Sequence, residues 1–338
     1  MKAGSGIQDE RSEYLSLRRG REFYGEANKK LVTNSQYPLR CRKSSAAITS
    51  IYNTSMNKKV YILITLLVPF LWANFAFAQT ASISFNPKTV YQGEPLMIQV
   101  NGVPSVKRIT FSGIPVRIFK YKNKPTGLVG LELNKAVGDY VVTAELNDGT
   151  IISNTVKVNY IKRREASYTI PEKLGGTTAQ GQIDLVATLA EENGAFKKIK
   201  TGTKIWWISD FESPLKDPKI ADEFGYTRKL GAMVMAHKGV DYSAPEGTKV
   251  FSINDGIVRL VGDYRNYGKT VIVDHGLGVL SFYLHLSEPK VKVGQFVYKG
   301  DLLALSGETG YADSPHLHFS MRIYGVSVDP VKFLELFK

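Results

Sequence analysis

Short stretches of alternating polar and apolar residues, separated by glycines, dominate residues 206–338. A period of two residues is typical of β-strands, and glycine accommodates the turns between them. The candidate strands are Thr248–Ile253, Gly256–Val261, Lys269–Asp274, Val279–His285 and His316–Ile323. The pattern predicts a mainly β domain over residues 206–338, in which any chemistry must be assembled from strands and loops.

The region before this domain, residues 79–160, is also predicted to be β-rich. It contains alternating runs such as Leu96–Val100 and Thr155–Val158, with turn signals at Asn101-Gly102 and Asn147–Gly149. About seven strands in roughly 80 residues are typical of a small β-sandwich of immunoglobulin-like type. This region has no histidine and no cysteine, so we expect a module that positions the chain and carries no catalytic residue.

Residues 161–205 are predicted to connect the two β regions. A short amphipathic helix is expected from Gln180 to Glu192, ended by Asn193-Gly194. Its apolar face is predicted to consist of Ile183, Val186, Leu189 and Ala190. The spacing of these residues places them on one side of a helix, which would pack against a neighbouring domain.

Residues 56–78 have the three parts of a secretory signal peptide. Two lysines precede the apolar run Val60–Trp72, and the small-x-small sequence Ala76–Ala78 follows it. This order predicts export, with cleavage before Gln79. The alternative is an uncleaved membrane anchor, although the run is short for a span and contains Pro69. We expect contact with a membrane only if this segment is uncleaved.

The upstream stretch, residues 1–55, shows no sustained periodicity. It contains ten Lys and Arg and five Asp and Glu. Since a signal peptide normally begins at the amino terminus, we interpret Met56 as the natural start and residues 1–55 as a non-native extension or a disordered tail. The alternative is a cytoplasmic tail ahead of an anchor, with its positive residues inside.

Net charge and cysteine content narrow the class of partner. Of the formal charge of +13, residues 1–55 contribute +5 and residues 56–78 contribute +2, which leaves +6 for the exported part. Such a charge favours an anionic surface such as a cell wall. Nucleic acid is not an expected partner, because no basic helix or aromatic-basic stripe is present. The lone cysteine, Cys41, excludes an intrachain disulfide and a cysteine-rich zinc finger.

All five histidines lie between His237 and His318. In the segment 315–319, Leu317 and Phe319 are predicted to face a core, because alternate side chains of a strand point to opposite faces. His316 and His318 then lie together on the other face. Such a polar face suits a metal ion and a polarised water molecule, whereas a single core histidine is the plainer interpretation of either residue alone.

The run Leu280–Leu286 is expected to follow the same alternation. It places Phe282, Leu284 and Leu286 on one face and Tyr283 with His285 on the other. His285 would therefore share a face with Tyr283, which would supply a wall or a hydrogen bond beside it.

His237 and Asp241 are separated by three residues. Gly239 and Pro245 argue against a helix here, so a loop that leads into a strand is expected. Both side chains are good zinc ligands, and three protein ligands with an open fourth position define a catalytic zinc site. His237, Asp241 and one histidine of the 316/318 pair fill that count.

Several motifs in order make the chain similar to the lysostaphin-type (LytM-like) zinc metallopeptidases that cut peptide bonds in bacterial peptidoglycan. The resemblance covers roughly residues 224–330. It rests on Phe224-Gly225 with Arg228, His237-x-x-x-Asp241, Ala244-Pro245-x-Gly247, Val273–Gly276, Tyr283-x-His285-Leu286-Ser287, Gly307-x-Thr309-Gly310 and Pro315–Phe319. The resemblance implies a β-rich peptidase fold, one Zn²⁺ per chain and peptidoglycan as the partner.

The resemblance also assigns roles. His237, Asp241 and His318 would be the metal ligands, and His285 and His316 would be catalytic residues beside the zinc-bound water. His275 is not a ligand in the family and is expected to be structural. Family members often have Thr-Gly where this chain has Asp313-Ser314, and an acidic or amide residue where it has Ser320. Because Asp313 would alter the groove near the site, the substrate preference is expected to differ.

The resulting hypothesis is an exported zinc endopeptidase of the periplasm or cell envelope that hydrolyses stems or cross-links of peptidoglycan. One alternative is a non-catalytic wall-binding activator of other hydrolases, which would be expected to lack a ligand. A second is a zinc peptidase that acts on proteins. The sequence specifies neither the bond that is cut nor an oligomeric state.

Overall fold

The computed structural model describes residues 80–338, apart from residues 168, 171, 173, 174, 177, 208, 231 and 232. These residues belong to one compact unit, Ala76–Lys338. The predictions for residues 1–55 and 56–78 lie outside the described residues. Among the helices of the described part, none is long and apolar enough to cross a membrane.

The amino-terminal region consists of two sheets that enclose a common core. Its strands are β1 (Ser82–Asn86), β2 (Val90–Tyr91), β3 (Pro95–Asn101), β4 (Arg108–Phe111), β5 (Ile114–Val116), β6 (Ile118–Tyr121), β7 (Lys124–Gly130), β8 (Gly138–Glu145) and β9 (Ile151–Asn159). One sheet has the order β1-β3-β7-β6 and the other β2-β9-β8-β4-β5. The β-rich prediction is confirmed, and the immunoglobulin-like type stays a prediction.

Strand β3 explains how this region is attached to the rest of the chain. Leu96 and Ile98 lie in the core between the two sheets, whereas Met97 points the other way into the core of the carboxy-terminal region. The strict alternation expected for Leu96–Val100 was therefore wrong, because a strand buried on both faces has a nearly continuous apolar run. Phe119 continues the contact by packing edge-on against the buried Trp207.

The carboxy-terminal region is built on a ten-stranded sheet. Its strands are β11 (Ile220–Asp222), β14 (Val240–Ser243), β15 (Lys249–Phe251), β16 (Gly256–Tyr264), β17 (Gly268–Gly276), β18 (Val279–Pro289), β19 (Phe296–Val297), β20 (Leu302–Ser306), β21 (His316–Ile323) and β22 (Val326–Val328). Their main order in the sheet is β11-β14-β21-β18-β17-β16-β19. The five predicted strands are present, and the mainly β class is confirmed.

The connector contributes a helix and one strand of a small sheet, whose other two strands belong to the carboxy-terminal region. The sheet contains β10 (Glu165–Ser167), β12 (Thr227–Leu230) and β13 (Met233–Ala236), and the helix is α1 (Ala179–Lys197). A second, short helix, α2 (Pro330–Glu335), follows the last strand. The Thr178 side chain caps α1 by accepting a hydrogen bond from the Gly181 amide.

The prediction for the end of α1 was wrong, and of its predicted apolar face only Leu189 packs against a core cluster. The helix continues past Asn193-Gly194 to Lys197, and Ile183 and Val186 are 61% and 47% exposed. Its buried apolar residues are Leu185 and Phe196 instead. Phe196 packs on rings of the carboxy-terminal sheet, and this tertiary contact outweighs the weak local stop signal.

Candidate metal centre

Asp241 on β14 and His318 on β21 are direct cross-strand partners. On the opposite face of the same two strands, Tyr242 and Leu317 are buried in the core. The alternation predicted for the 315–319 segment is therefore confirmed, and Phe319 lies in the core as well. The apolar face of β21 thus fixes the direction in which His316 and His318 point.

His237 follows β13 directly and completes a group of three. Its Nε2 lies 3.1 Å from Asp241 Oδ1 and 3.0 Å from His318 Nδ1, and the Asp241 Oδ1–His318 Nδ1 distance is 2.7 Å. A tetrahedral zinc ion with bonds of about 2.0–2.1 Å has ligand atoms roughly 3.3 Å apart. Two imidazole nitrogens and a carboxylate oxygen at these separations fit one zinc ion.

The group is supported by a second layer of contacts. His237 Nδ1 donates to the Glu223 carbonyl over 2.8 Å, so that Nε2 is the nitrogen presented to the metal. Arg228 Nη2 donates to Asp241 Oδ2 over 2.9 Å, which leaves Oδ1 facing the two histidines. These partners orient the ligands before any metal binds.

Gly239 creates the space that His318 occupies. A Cβ at this position would lie 2.4 Å from His318 Nε2 and 2.7 Å from the Phe319 carbonyl oxygen. Both distances are well below van der Waals contact, so any other residue would displace the imidazole. The glycine in His237-x-x-x-Asp241 is thus a requirement of packing.

The charges of the group suit a divalent cation. Burial alone acts to raise the pKa of Asp241, but His318 and His237 outweigh it and hold this pKa well below its usual range. Burial lowers the pKa of His318 to about 4. At neutral pH the carboxylate is therefore ionised and the imidazole neutral, which are the protonation states that metal ligands require.

His285 is brought into the site by a β-bulge. Lys269 pairs with Leu286 and Val271 with Tyr283, so that β18 has one extra residue in this stretch. His285 has a left-handed backbone, with φ +58°. A bulge of this kind redirects a side chain and is common beside active sites.

The prediction that His285 shares a face with Tyr283 was wrong. Tyr283 and Leu286 lie in the main core, whereas Phe282 and Leu284 lie on the other face of β18. His285 lines the cavity on the side of Phe282 and Leu284, because the bulge interrupts the strict alternation. Tyr283 is buried, and its hydroxyl accepts from the Ile253 amide.

His285 and His316 stand beside the ligand group. Their ring centroids are 4.8 Å apart, and that of His285 is 5.9 Å from His318. His285 Nδ1 donates to the Thr309 carbonyl and His316 Nδ1 to the Ser314 carbonyl, each over 2.8 Å. A carbonyl only accepts, so in the neutral imidazoles Nδ1 carries the proton and Nε2 is the free base.

Histidine 275 lies apart from this group, as the sequence predicts. It is buried, with Nδ1 against the Asp255 carbonyl and Nε2 against Ser281 Oγ, both at 2.8 Å. Burial lowers its pKa to about 4. Its two hydrogen bonds, together with an edge contact to Phe211, are those of a structural residue.

A cavity of about 370 Å³ opens next to His237, His285 and His318. One wall is α1 and another is the β12–β13 hairpin. The remaining lining residues include Tyr267, Phe282, Tyr311 and Arg322. The sequence interpretation missed Arg322, although the alternation that pairs His316 with His318 continues through Ser320 to this arginine.

Residues 235–330 match the profile of peptidase family M23. The chain contains an M23 peptidase domain. The three ligand residues and the two flanking histidines, His285 and His316, all lie within the matched range. The M23 match spans less than a third of the chain, and it begins two residues before His237.

Two curated relatives share this part of the chain. The peptidoglycan DD-endopeptidase ShyA of Vibrio cholerae is 38% identical over 99 residues, which are 29% of this chain and 23% of the relative. The DD-carboxypeptidase/endopeptidase Mpg of Neisseria meningitidis is 34% identical over 142 residues, or 42% of this chain and 31% of the relative. The alignments thus span less than a third of each relative.

A solved structure extends the likeness beyond the M23 domain. A Pseudomonas aeruginosa protein assigned to peptidase M23 superposes with a TM-score of 0.52 at 25% identity, and the match covers 73% of this chain and 96% of that one. Residues 235–330 alone could not supply this coverage. The arrangement of an amino-terminal β region and an M23 domain is therefore shared between the two chains.

Proposed function

We propose that this protein is an exported zinc endopeptidase that hydrolyses peptide stems or cross-links of peptidoglycan. The observation that carries the proposal is the convergence of His237, Asp241 and His318 at 2.7–3.1 Å, flanked by two histidines with an unprotonated Nε2. Three ligands with two adjacent bases are the parts that metal-assisted amide hydrolysis requires.

His237, Asp241 and His318 would hold the zinc ion. Zinc in such a site polarises a carbonyl group and lowers the pKa of water to about 7. Asp241 supplies the negative charge, and Arg228 keeps its second oxygen turned away. A substrate carbonyl would approach from the cavity, which His237 and His318 line.

His285 and His316 would handle the protons of the reaction. Their Nδ1–H groups are hydrogen-bonded to the Thr309 and Ser314 carbonyls. Each Nε2 can therefore accept a proton from the attacking water and return one to the leaving amine. Burial, together with the charges of His316 and His318, holds the pKa of His285 well below its ordinary value. After protonation, either imidazolium would stabilise an oxyanion.

The choice of peptidoglycan is supported by the relatives. ShyA and Mpg carry names that describe endopeptidases, in the case of ShyA with peptidoglycan as substrate. The predicted signal segment 56–78 would deliver the enzyme to the periplasm or cell envelope, where that polymer lies. We propose that the amino-terminal β region positions the enzyme, because its contacts with Trp207 and Phe337 do not involve the residues that line the cavity.

The test is hydrolysis of purified peptidoglycan by the purified protein. Release of soluble peptides that requires zinc, stops with a chelator and is absent in His318→Ala would support the proposal, and mass analysis of the products would identify the bond. A protein such as casein is the parallel substrate.

Three outcomes would change the proposal. Cleavage of casein but not of peptidoglycan would make the enzyme a protein peptidase. Stimulation of another wall hydrolase, without cleavage by the zinc-loaded protein alone, would make it an activator. Absence of stoichiometric zinc binding would overturn the catalytic assignment.

A further inference from the structure

Arg322 is a buried cation without a described counter-ion. Only 8% of the residue is exposed, and its Nε is buried with no hydrogen-bond partner among the described residues. Nη2 donates to the amide oxygen of Asn193 over 3.2 Å. A guanidinium stays charged, and burying a charge is costly unless an anion balances it.

The guanidinium lies in the cavity beside the metal centre. Arg322 belongs to the face of β21 that carries His318, and its Cζ is 4.4 Å from the ring centroid of Phe282. Phe282 pairs with Ser320, whereas Arg322 itself pairs with Leu280. The side chain therefore leans along the strand toward the metal ligands, with the Phe282 ring as its support.

The described part of the cavity lining has cations and no carboxylate. Besides Arg322, the described lining contains Arg228 and Lys238, but no aspartate or glutamate. Arg228 is already paired with Asp241. Glu192, the buried acid of α1, accepts from the backbone N–H of Asn266 through Oε1 over 3.0 Å. Its Oε2 has no hydrogen-bond partner among the described residues, and it forms no ion pair with Arg322. Arg322 is thus the buried cation of this cavity for which the described residues provide no acid.

We propose that Arg322 is a specificity-determining residue that binds a carboxylate of the substrate peptide in the cavity between α1 and the β12–β13 hairpin. This inference rests on the proposed peptidase function. The neutral oxygen of Asn193 holds the guanidinium in the absence of substrate, and a carboxylate forms the stronger, charge-assisted pair. His318 and Arg322 are four residues apart on β21, so their Cα atoms are about 14 Å apart. Since an extended peptide spans at most about 3.6 Å per residue, this carboxylate lies roughly two to four residues from the bond that is cut.

The test compares two cross-linked stem peptides that differ in one group. One carries a free carboxylate at this distance from the scissile bond, and the other carries the carboxamide. We expect the wild-type protein to favour the carboxylate by at least tenfold in kcat/KM. In Arg322→Gln the ratio should fall to about one, mainly through KM, and Arg322→Lys should retain part of the preference.

Two further variants make the test specific. Lys238→Gln removes the other unpaired cation of the lining and should leave the ratio unchanged. Asn193→Asp places a carboxylate next to the guanidinium, so it should raise KM for the carboxylate peptide more than for the carboxamide. Because Asn193→Asp keeps Arg322 in place, it tests the proposal even if Arg322→Gln does not fold.

The proposal is overturned if Arg322→Gln keeps the wild-type ratio, or if it loses activity equally on both peptides while still folded and zinc-bound. Loss of the ratio in Lys238→Gln alone would move the subsite to that residue. If the wild-type protein cleaves neither peptide, the proposed function fails, and calorimetric binding of the two peptides decides the subsite. Tighter binding of the carboxylate peptide than of the carboxamide peptide, lost in Arg322→Gln, would support the subsite. Equal binding of the two peptides by the wild-type protein would overturn it.

Discussion

Asp241 and His318 are 77 residues apart in sequence, yet their side chains meet across one antiparallel pair of strands, with Oδ1 and Nδ1 2.7 Å apart. The sheet register alone creates this contact. A shift of one residue would turn one of the two side chains into the core. Since Tyr242, Leu317 and Phe319 bury the opposite face, the core that stabilises the fold also fixes the metal ligands.

Asp241→Asn should abolish stoichiometric zinc binding with little change in shape. The amide removes the negative charge that balances the metal, so we expect the affinity for zinc to fall by at least about 100-fold. Competition with a chromophoric chelator measures the change. Asp139→Asn, an exposed carboxylate of the amino-terminal β region, is the matched control and should bind zinc normally. Wild-type affinity in Asp241→Asn would remove Asp241 from the ligand set.

His285→Asn and His316→Asn should retain zinc and lose turnover. Asparagine tolerates the positive φ of position 285, so this substitution tests the imidazole and not the backbone. Loss of a general acid–base group is expected to lower kcat by about 10²–10⁴-fold. Zinc content is measured on the same samples. A variant that loses zinc would identify its histidine as a ligand instead, and one that keeps full turnover has no catalytic role.

Gly239→Ala should weaken zinc binding without touching a ligand. The added methyl group would stand 2.4 Å from His318 Nε2, so the imidazole must move. The matched control is Gly194→Ala in α1, where a Cβ meets no atom within 4 Å. That control should bind zinc normally and gain about 0.5–1 kcal/mol of stability, because alanine favours a helix. Equal zinc affinity in both variants would show that the loop yields to the methyl group.

Acid should destabilise the protein partly through His275. Its folded pKa of about 4 lies below the ordinary value of 6.5, so the unfolded chain binds the proton more tightly. The contribution of neutral His275 to the free energy of unfolding is complete above about pH 6.5 and is lost as the pH falls toward 4. Between pH 7 and pH 4.5 the free energy of unfolding should fall by about 2–3 kcal/mol through this residue.

Urea unfolding at the two pH values checks this prediction. His275→Gln should lose about that much less stability than the wild-type protein on acidification. Both proteins carry the same metal centre, so proton competition at the zinc ligands cancels in the difference. Identical losses for the two proteins would show that His275 does not titrate during unfolding.

Much of the fold and part of the site follow from local patterns. The bounds of β21 are those that the alternation predicts, and the same alternation places His316 and His318 on one face opposite Leu317 and Phe319. His237 and Asp241 lie on a loop and the following strand, as Gly239 and Pro245 imply. A residue period of two is a property of neighbouring residues, so the sequence by itself determines it.

The tertiary structure decided the remaining features, because they depend on which strands pair and in which register. The bulge in β18 turns His285 toward the ligands, although strict alternation placed it with Tyr283. Packing of Phe196 on the sheet set the length and the buried face of α1, where the local apolar pattern pointed elsewhere. The significance of Arg322 depends on the packing of α1 beside it, since the lack of a counter-ion among the described residues is a property of the folded surroundings and not of the residue.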